Sequence, residues 1–168
     1  HRNASRHYYS TLYADIVVLN YRQSGEYAVP RIWIAYTSGK DALHVKTVEF
    51  TLMGKVYSFE VNKSDITQLN KGGICEEVLI RLGMDAAEFM VDWFDTTKSD
   101  GQISAKLIGE SDEVAFELPD LVTDSSGLMW ELFAAAGGVE TLDRVNQTPI
   151  SVSKEAPARR KPRAGVLQ

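Results

Sequence analysis

The sequence predicts a mainly β domain with appended helices (α+β), an antiparallel β-sandwich-like fold of about seven strands and two helices. Three observations carry that prediction. Short runs alternate apolar and polar residues with period two, as where Val48, Phe50 and Leu52 interleave with Glu49 and Thr51. Brief clusters of turn-forming residues separate most of these runs, which disfavours a doubly wound parallel sheet. The apolar period lengthens to three and four residues only after Gly83 and after Pro119.

The first strand is read within 10–21, "STLYADIVVLNY", from its β-branched and aromatic residues. Gly25 and Pro30 punctuate the connection to a second, "RIWIAY", which places Ile32, Ile34 and Tyr36 on one face and Trp33 and Ala35 on the other. A hairpin follows in "VEFTLMGKVYSFEV". Keeping Val48, Phe50, Leu52, Tyr57, Phe59 and Val61 on one face requires an even loop, because a one-residue slip turns every side chain over. A Met53-Gly54 loop pairs Phe50 with Tyr57, and a Gly54-Lys55 loop pairs it with Phe59; glycine supplies the positive φ of a primed turn in both. Glu49, Thr51, Ser58 and Glu60 then face outward.

Residues 62–73, "NKSDITQLNKGG", are polar and predict loop with one short helical turn capped by Ser64. "ICEEVLIRLG" resumes a strand with Val78, Ile80 and Leu82 in phase. Ala86, Phe89, Met90, Trp93 and Phe94 mark an amphipathic helix over about 85–95, with Asp85 as its N-cap. Strands at 102–109 and in "VAFEL" come next, and a final helix from Asp120 to about Ala136 carries Leu121, Leu128, Met129, Leu132 and Phe133, with Gly137 and Gly138 as its stop. The domain reading is a flexible segment at 1–9, one folded unit at 10–145 and a disordered basic tail at 146–168, where Pro149, Pro157 and Pro162 lie.

Composition bounds the function. A chain of 168 residues, 44% hydrophobic and 24% charged, suffices for one core without metals or disulfides. Residues 154–163 carry net +4, leaving −9 on the rest of a chain whose total is −5. An acidic body disfavours nucleic acid as a partner. No apolar run approaches the roughly 20 residues of a membrane span, and the opening residues lack the apolar stretch of a secretory signal. The absence of an initiating Met is expected of a processed or trimmed chain. Cys75, the one cysteine, excludes an intramolecular disulfide and reads as a small core residue.

The chemistry-bearing motifs are sparse. His1, His7 and His44 have no His-x-x-x-His or Cys-x-x-Cys partner, so no metal site is expected. Ser38-Gly39-Lys40 lacks the first glycine of a phosphate loop and reads as a turn. Asp85 and Glu88 suit a helix N-terminus, and "TKSDGQ" and "ESDE" lack calcium-loop spacing. No cofactor is called for. The three Asn-x-Ser/Thr triplets, at Asn3, Asn62 and Asn146, are taken as coincidental. Trp33 and Tyr36 are the binding candidates, since exposed flat side chains stack on sugars and apolar ligands. No catalytic residue is assigned.

The stretch from Pro30 to Val61, with its Gly54-Lys55-x-Tyr57-x-Phe59 hairpin, then "LIRLG", "AAEFMVDWF" and a strand ending Phe116-Glu117-Leu118, is similar to small uncharacterised β-sandwich domains of Gram-positive surface lipoproteins. The resemblance spans about residues 12–136. It implies an extracytoplasmic or cell-surface module without known catalytic residues. The expected function is thus a non-enzymatic binding or accessory domain for a protein or glycan. A hydrolase whose carboxylate pair is assembled by the fold is the first alternative, and a cytoplasmic protein-interaction domain is the second.

Overall fold

A computed structural model describes residues 12–17 as backbone, and residues 30–39, 41–118, 128, 130–135, 137–142, 144 and 146–156. Among the described residues, nine strands form two antiparallel sheets. The first has the order β1-β2-β6-β5, from β1 (Leu12–Val17), β2 (Arg31–Ser38), β5 (Asp65–Gln68) and β6 (Ile74–Arg81). The second has the order β8-β7-β3-β4-β9, from β3 (Thr47–Leu52), β4 (Lys55–Glu60), β7 (Ser104–Ile108), β8 (Glu113–Glu117) and β9 (Ile150–Lys154). The predicted α+β, sandwich-like class is the observed one, with β5 and β9 added to the seven strands expected.

The hairpin fixes the register of the second sheet. Phe50 pairs with Tyr57 and Val48 with Phe59, the arrangement that a Met53-Gly54 loop dictates. Met53 and Gly54 have φ of 52° and 68°, the paired positive values of a type I′ turn. Val48, Phe50, Tyr57 and Phe59 are fully buried as a result. Leu107 and Ala105 on β7 continue the same face, opposite Val48 and Phe50. From the first sheet, Ile32, Ile34, Val78 and Ile80 enter the same core, and Tyr36 meets Phe116 edge-on with ring centroids 6.0 Å apart.

Helix α1 (Ala87–Lys98) closes this core with two aromatic residues one turn apart. Phe89 lies 5.5, 5.2, 5.0 and 5.4 Å from the rings of Phe50, Tyr57, Phe59 and Trp93, within the favourable range for tilted and edge-to-face pairs. The helix starts later than the sequence suggests. A 3-10 turn, Met84–Ala86, precedes it, and Ala86 occupies the cap position without a side-chain cap. Asp85 therefore does not cap: its carboxylate accepts from Arg144 Nε at 2.9 Å and Gln147 Nε2 at 2.7 Å, while its N–H donates to Gln147 Oε1.

Two further expectations are corrected. The polar 62–73 segment holds strand β5, paired along β6, rather than a helical turn; Ser64 uses its hydroxyl on Glu76 instead of a helix cap. The tail boundary also moves, because 150–154 form β9 on the open side of β4, with Ile150 opposite Phe59 and Val152 opposite Tyr57. Basic and proline composition masked this short β-branched alternation. The segment before β9 is held at both ends: Thr148 exchanges hydrogen bonds with the Arg81 backbone, and the Pro149 carbonyl accepts from Glu60 N–H. Segments 1–9 and 157–168 lie outside the described residues.

Of the last predicted helix, residues 128 and 130–135 are described and helical. Phe133 is buried with its ring 5.5 Å from Trp130, whereas Leu128 and Leu132, expected on the buried stripe, are exposed. Gly137 has the predicted left-handed φ, 79°. Leu121 and Met129 lie outside the described residues.

Phe50 is fully enclosed and touches Phe59, Phe89 and Trp93. Phe50→Ala is expected to destabilise the fold by about 3–5 kcal/mol, read as a lower midpoint in urea denaturation.

Candidate functional site

β6 alternates Ile74, Glu76, Val78 and Ile80 on its core face, so a carboxylate stands where an aliphatic side chain would ordinarily pack. Glu76 is 0% exposed. Burying an ion costs several kcal/mol unless its lone pairs find donors. Here they find three. Leu43 N–H donates to Oε2 at 2.8 Å, and Val45 N–H and the Ser64 hydroxyl donate to Oε1, each at 2.7 Å.

Those three donors come from two places in the chain. Leu43 and Val45 belong to the irregular segment 41–46, and Ser64 immediately precedes β5. One side chain thereby positions both. The 41–46 segment is further held from the second sheet, where Lys46 N–H donates to the Ile108 carbonyl and the Leu43 carbonyl accepts from Glu110 N–H. Gly109 permits that approach, since a Cβ there would lie 2.0 Å from the Leu43 carbonyl oxygen.

Between the two anchored amides sits His44, with φ of 53°. Left-handed backbone is uncommon for a non-glycine residue, though histidine is among those enriched there. Such a conformation costs about 1–3 kcal/mol and persists where the surroundings enforce it. Glu76 enforces this one by holding the N–H on each side. The exposed His44 then lines an open groove of about 620 Å³ together with Gly39, Asp41 and Ala42 from the chain after β2, Ile66 and Gln68 from β5, and Gly73 and Ile74 from the start of β6.

A second polar cluster ties α1 to the hairpin. Lys55, opposite Leu52 on the core-side face of β4, reaches Glu88 Oε1 at 2.7 Å and Asp92 Oδ2 at 2.8 Å. The buried Tyr57 hydroxyl donates to the same Asp92 oxygen. Burial alone would raise the Asp92 pKa, but the hydrogen bonds from Lys55 and Tyr57 outweigh it and hold the carboxyl below its ordinary value. Tyr57 is pushed well above its ordinary value, first by burial and then by its bond to Asp92. The hydrogen bonds to Asp92 and Glu88 raise Lys55 as well.

The binding residues suggested by sequence are not brought together. Tyr36 is 6% exposed and packed on Phe116, which removes it as a stacking surface. Trp33 is half-buried on the other face of β2, opposite Leu79, so the two rings cannot share a ligand. His44, which the sequence gives no metal-ligand partner, lies exposed at the groove with a left-handed backbone. Among the described residues no cluster of three or more His, Cys, Asp and Glu is arranged to hold a metal ion.

Two outcomes are expected from these contacts. Replacing the carboxylate by an amide, Glu76→Gln, removes one acceptor oxygen; amide hydrogen exchange at Leu43 or Val45 should accelerate at least about tenfold, the equivalent of a lost hydrogen bond of about 1.4 kcal/mol, while Val48 and Phe50 keep their protection. Tyr57→Phe should cost about 1–3 kcal/mol by leaving Asp92 short of a donor. Because the folded-state pKa of Asp92 is depressed, its contribution is present above the unfolded carboxylate value of about 3.9 and is lost as pH falls through the folded value. Denaturation curves of wild type and Asp92→Asn should therefore differ at pH 7 and draw together in acid.

Comparison of the chain with protein-family models, with curated proteins and with solved structures finds no match, so its function is argued from this geometry.

Proposed function

We propose that the protein is a non-enzymatic binding module and that its ligand occupies the groove between β5 and the 41–46 segment. The observation that carries this reading is the single buried carboxylate that holds the 41–46 segment and the entry into β5. A groove whose walls are fixed in advance spends little ordering free energy when a ligand enters, and ligand sites are characteristically preformed concavities of about 300–1,000 Å³. The groove, at about 620 Å³, falls inside that range. Its lining suits recognition: Ile66, Ile74 and Ala42 offer apolar contact, and Asp41, His44 and Gln68 offer a few polar groups to set orientation. Action outside the cytoplasm has the family resemblance as its support.

For the hydrolase alternative, Glu88 and Asp92 are one carboxylate pair that the fold brings together. These lie one turn apart on the same helix and bind the same Lys55. Glycoside hydrolysis needs two carboxyls flanking the scissile bond, one of them held protonated by a raised pKa. Asp92 is shifted in the opposite direction.

A fragment library screened by protein-observed NMR tests the groove. Hits should move the resonances of Asp41, His44 and Gln68, and Ala42→Trp, which fills the groove from one wall, should weaken them at least tenfold. Hits that cluster elsewhere and ignore Ala42→Trp would refute the assignment.

A further inference from the structure

We propose that the groove's ligand is an extended peptide that adds to the first sheet as an extra strand along β5 and turns a cationic side chain toward Asp41. This deepens the groove reading and rests on it.

The hydrogen-bond phase of the sheet makes the case. In an antiparallel pair, alternate residues direct both backbone groups at the partner and those between direct them away. Leu82 N–H donates to the Pro30 carbonyl, so the even-numbered residues of β6 bond to β2 and the odd-numbered ones to β5. Leu69 N–H donates to the Gly73 carbonyl, which independently gives the same phase. Asp65 and Thr67 therefore spend their backbone groups on Glu77 and Cys75, and Ile66 and Gln68 aim theirs at the open side of β5.

Ile66 and Gln68 are also the β5 residues that line the groove. A strand paired with β5 would bond to their N–H and C=O groups, and its residues opposite them would share their face and lie at the groove. β5 ends the strand order of its sheet, and its four residues are all exposed. Sheet edges are commonly blunted by charge, proline or a bulge. β8, an edge of the second sheet, begins and ends with Glu113 and Glu117; β5 carries one charge, Asp65, which faces Lys63 at 3.9 Å, and two adjacent β-branched residues, Ile66 and Thr67.

Charge selects the occupant. The exposed Asp41 stands in the groove wall, and residues outside 154–163 carry net −9. That field attracts a cationic peptide and opposes the approach of a second acidic copy.

The test is selection of a phage-displayed random dodecapeptide library on the full chain, followed by synthesis of the enriched peptides. Enriched peptides should alternate β-branched residues around a central Lys or Arg. Binding should slow amide exchange at Ile66 and Gln68 and shift Asp41 and His44. It should weaken at least tenfold when alternate peptide amides are N-methylated or when the protein carries Ile66→Pro. That substitution removes an N–H aimed at the open side, a position where an edge strand accepts proline. The N-methylated peptides give the same readout on wild-type protein if the variant does not fold.

Failure to enrich any peptide overturns the proposal. Equal binding by N-methylated peptides with Asp41 and His44 still shifting overturns the added strand and leaves the groove reading standing; protection at Ile66 and Gln68 with Asp41 and His44 unmoved sinks the groove reading itself. A concentration-dependent dimer in sedimentation, abolished by Ile66→Pro, would assign the edge to a second copy and also overturn it.

Discussion

Glu76 stands on the core face of β6, level with Tyr36 in β2 and Ile66 in β5, and it accepts the Leu43 and Val45 amides and the Ser64 hydroxyl. An aliphatic residue at this point would bury more comfortably by itself. It would also leave two backbone N–H groups without acceptors in a segment that has no ladder of its own, and each such group costs about 1–3 kcal/mol. The irregular path from Asp41 to Lys46, the left-handed His44 and the entry into β5 all depend on this one carboxylate.

The aromatic core works by a different logic. Phe89 packs against Phe50, Tyr57, Phe59 and Trp93, so α1 is seated by rings whose positions the Met53-Gly54 turn has already set. Lys55, Tyr57, Glu88 and Asp92 add a polar seam beside those rings. The pKa directions within the seam agree: Asp92 is lowered and Lys55 raised, each favouring its charged form, while the buried phenol of Tyr57 keeps its proton. This seam joins helix to sheet, and its strongest groups are spent on one another.

Much of the fold was legible because burial imposes periods. Parity limited the β3–β4 hairpin to two registers, of which the Met53-Gly54 turn selects the one with Phe50 opposite Tyr57, and the outward set of Glu49, Thr51, Ser58 and Glu60 is only partly buried or exposed, as parity requires. β5 escaped because all four of its residues are exposed and give no alternation to detect. β9 escaped because its alternation is brief and sits among polar and basic residues. Asp85 had the spacing of an N-cap, but donors from Arg144 and Gln147, about sixty residues away in sequence, claimed its carboxylate. Local rules assign such a residue before the distant partner is known.

The candidate site was legible in one respect that composition-based searching passes over. Ile74, Glu76, Val78 and Ile80 are in phase, and an acid at core parity must be paired by something. Parity announces the need for donors without naming them, because Leu43, Val45 and Ser64 reach Glu76 only once β2 and β5 have paired with β6 on either side. Aromatic stacking points instead to Trp33 and Tyr36, whose strand positions place them on opposite faces of β2. The two polar clusters then differ in what they leave over. The Asp92 seam consumes its polar groups in docking α1, whereas Glu76 spends its oxygens on backbone donors and leaves the side chains of Asp41, His44 and Gln68 at the groove. A buried carboxylate that fixes main chain leaves the neighbouring side chains facing solvent in a defined geometry.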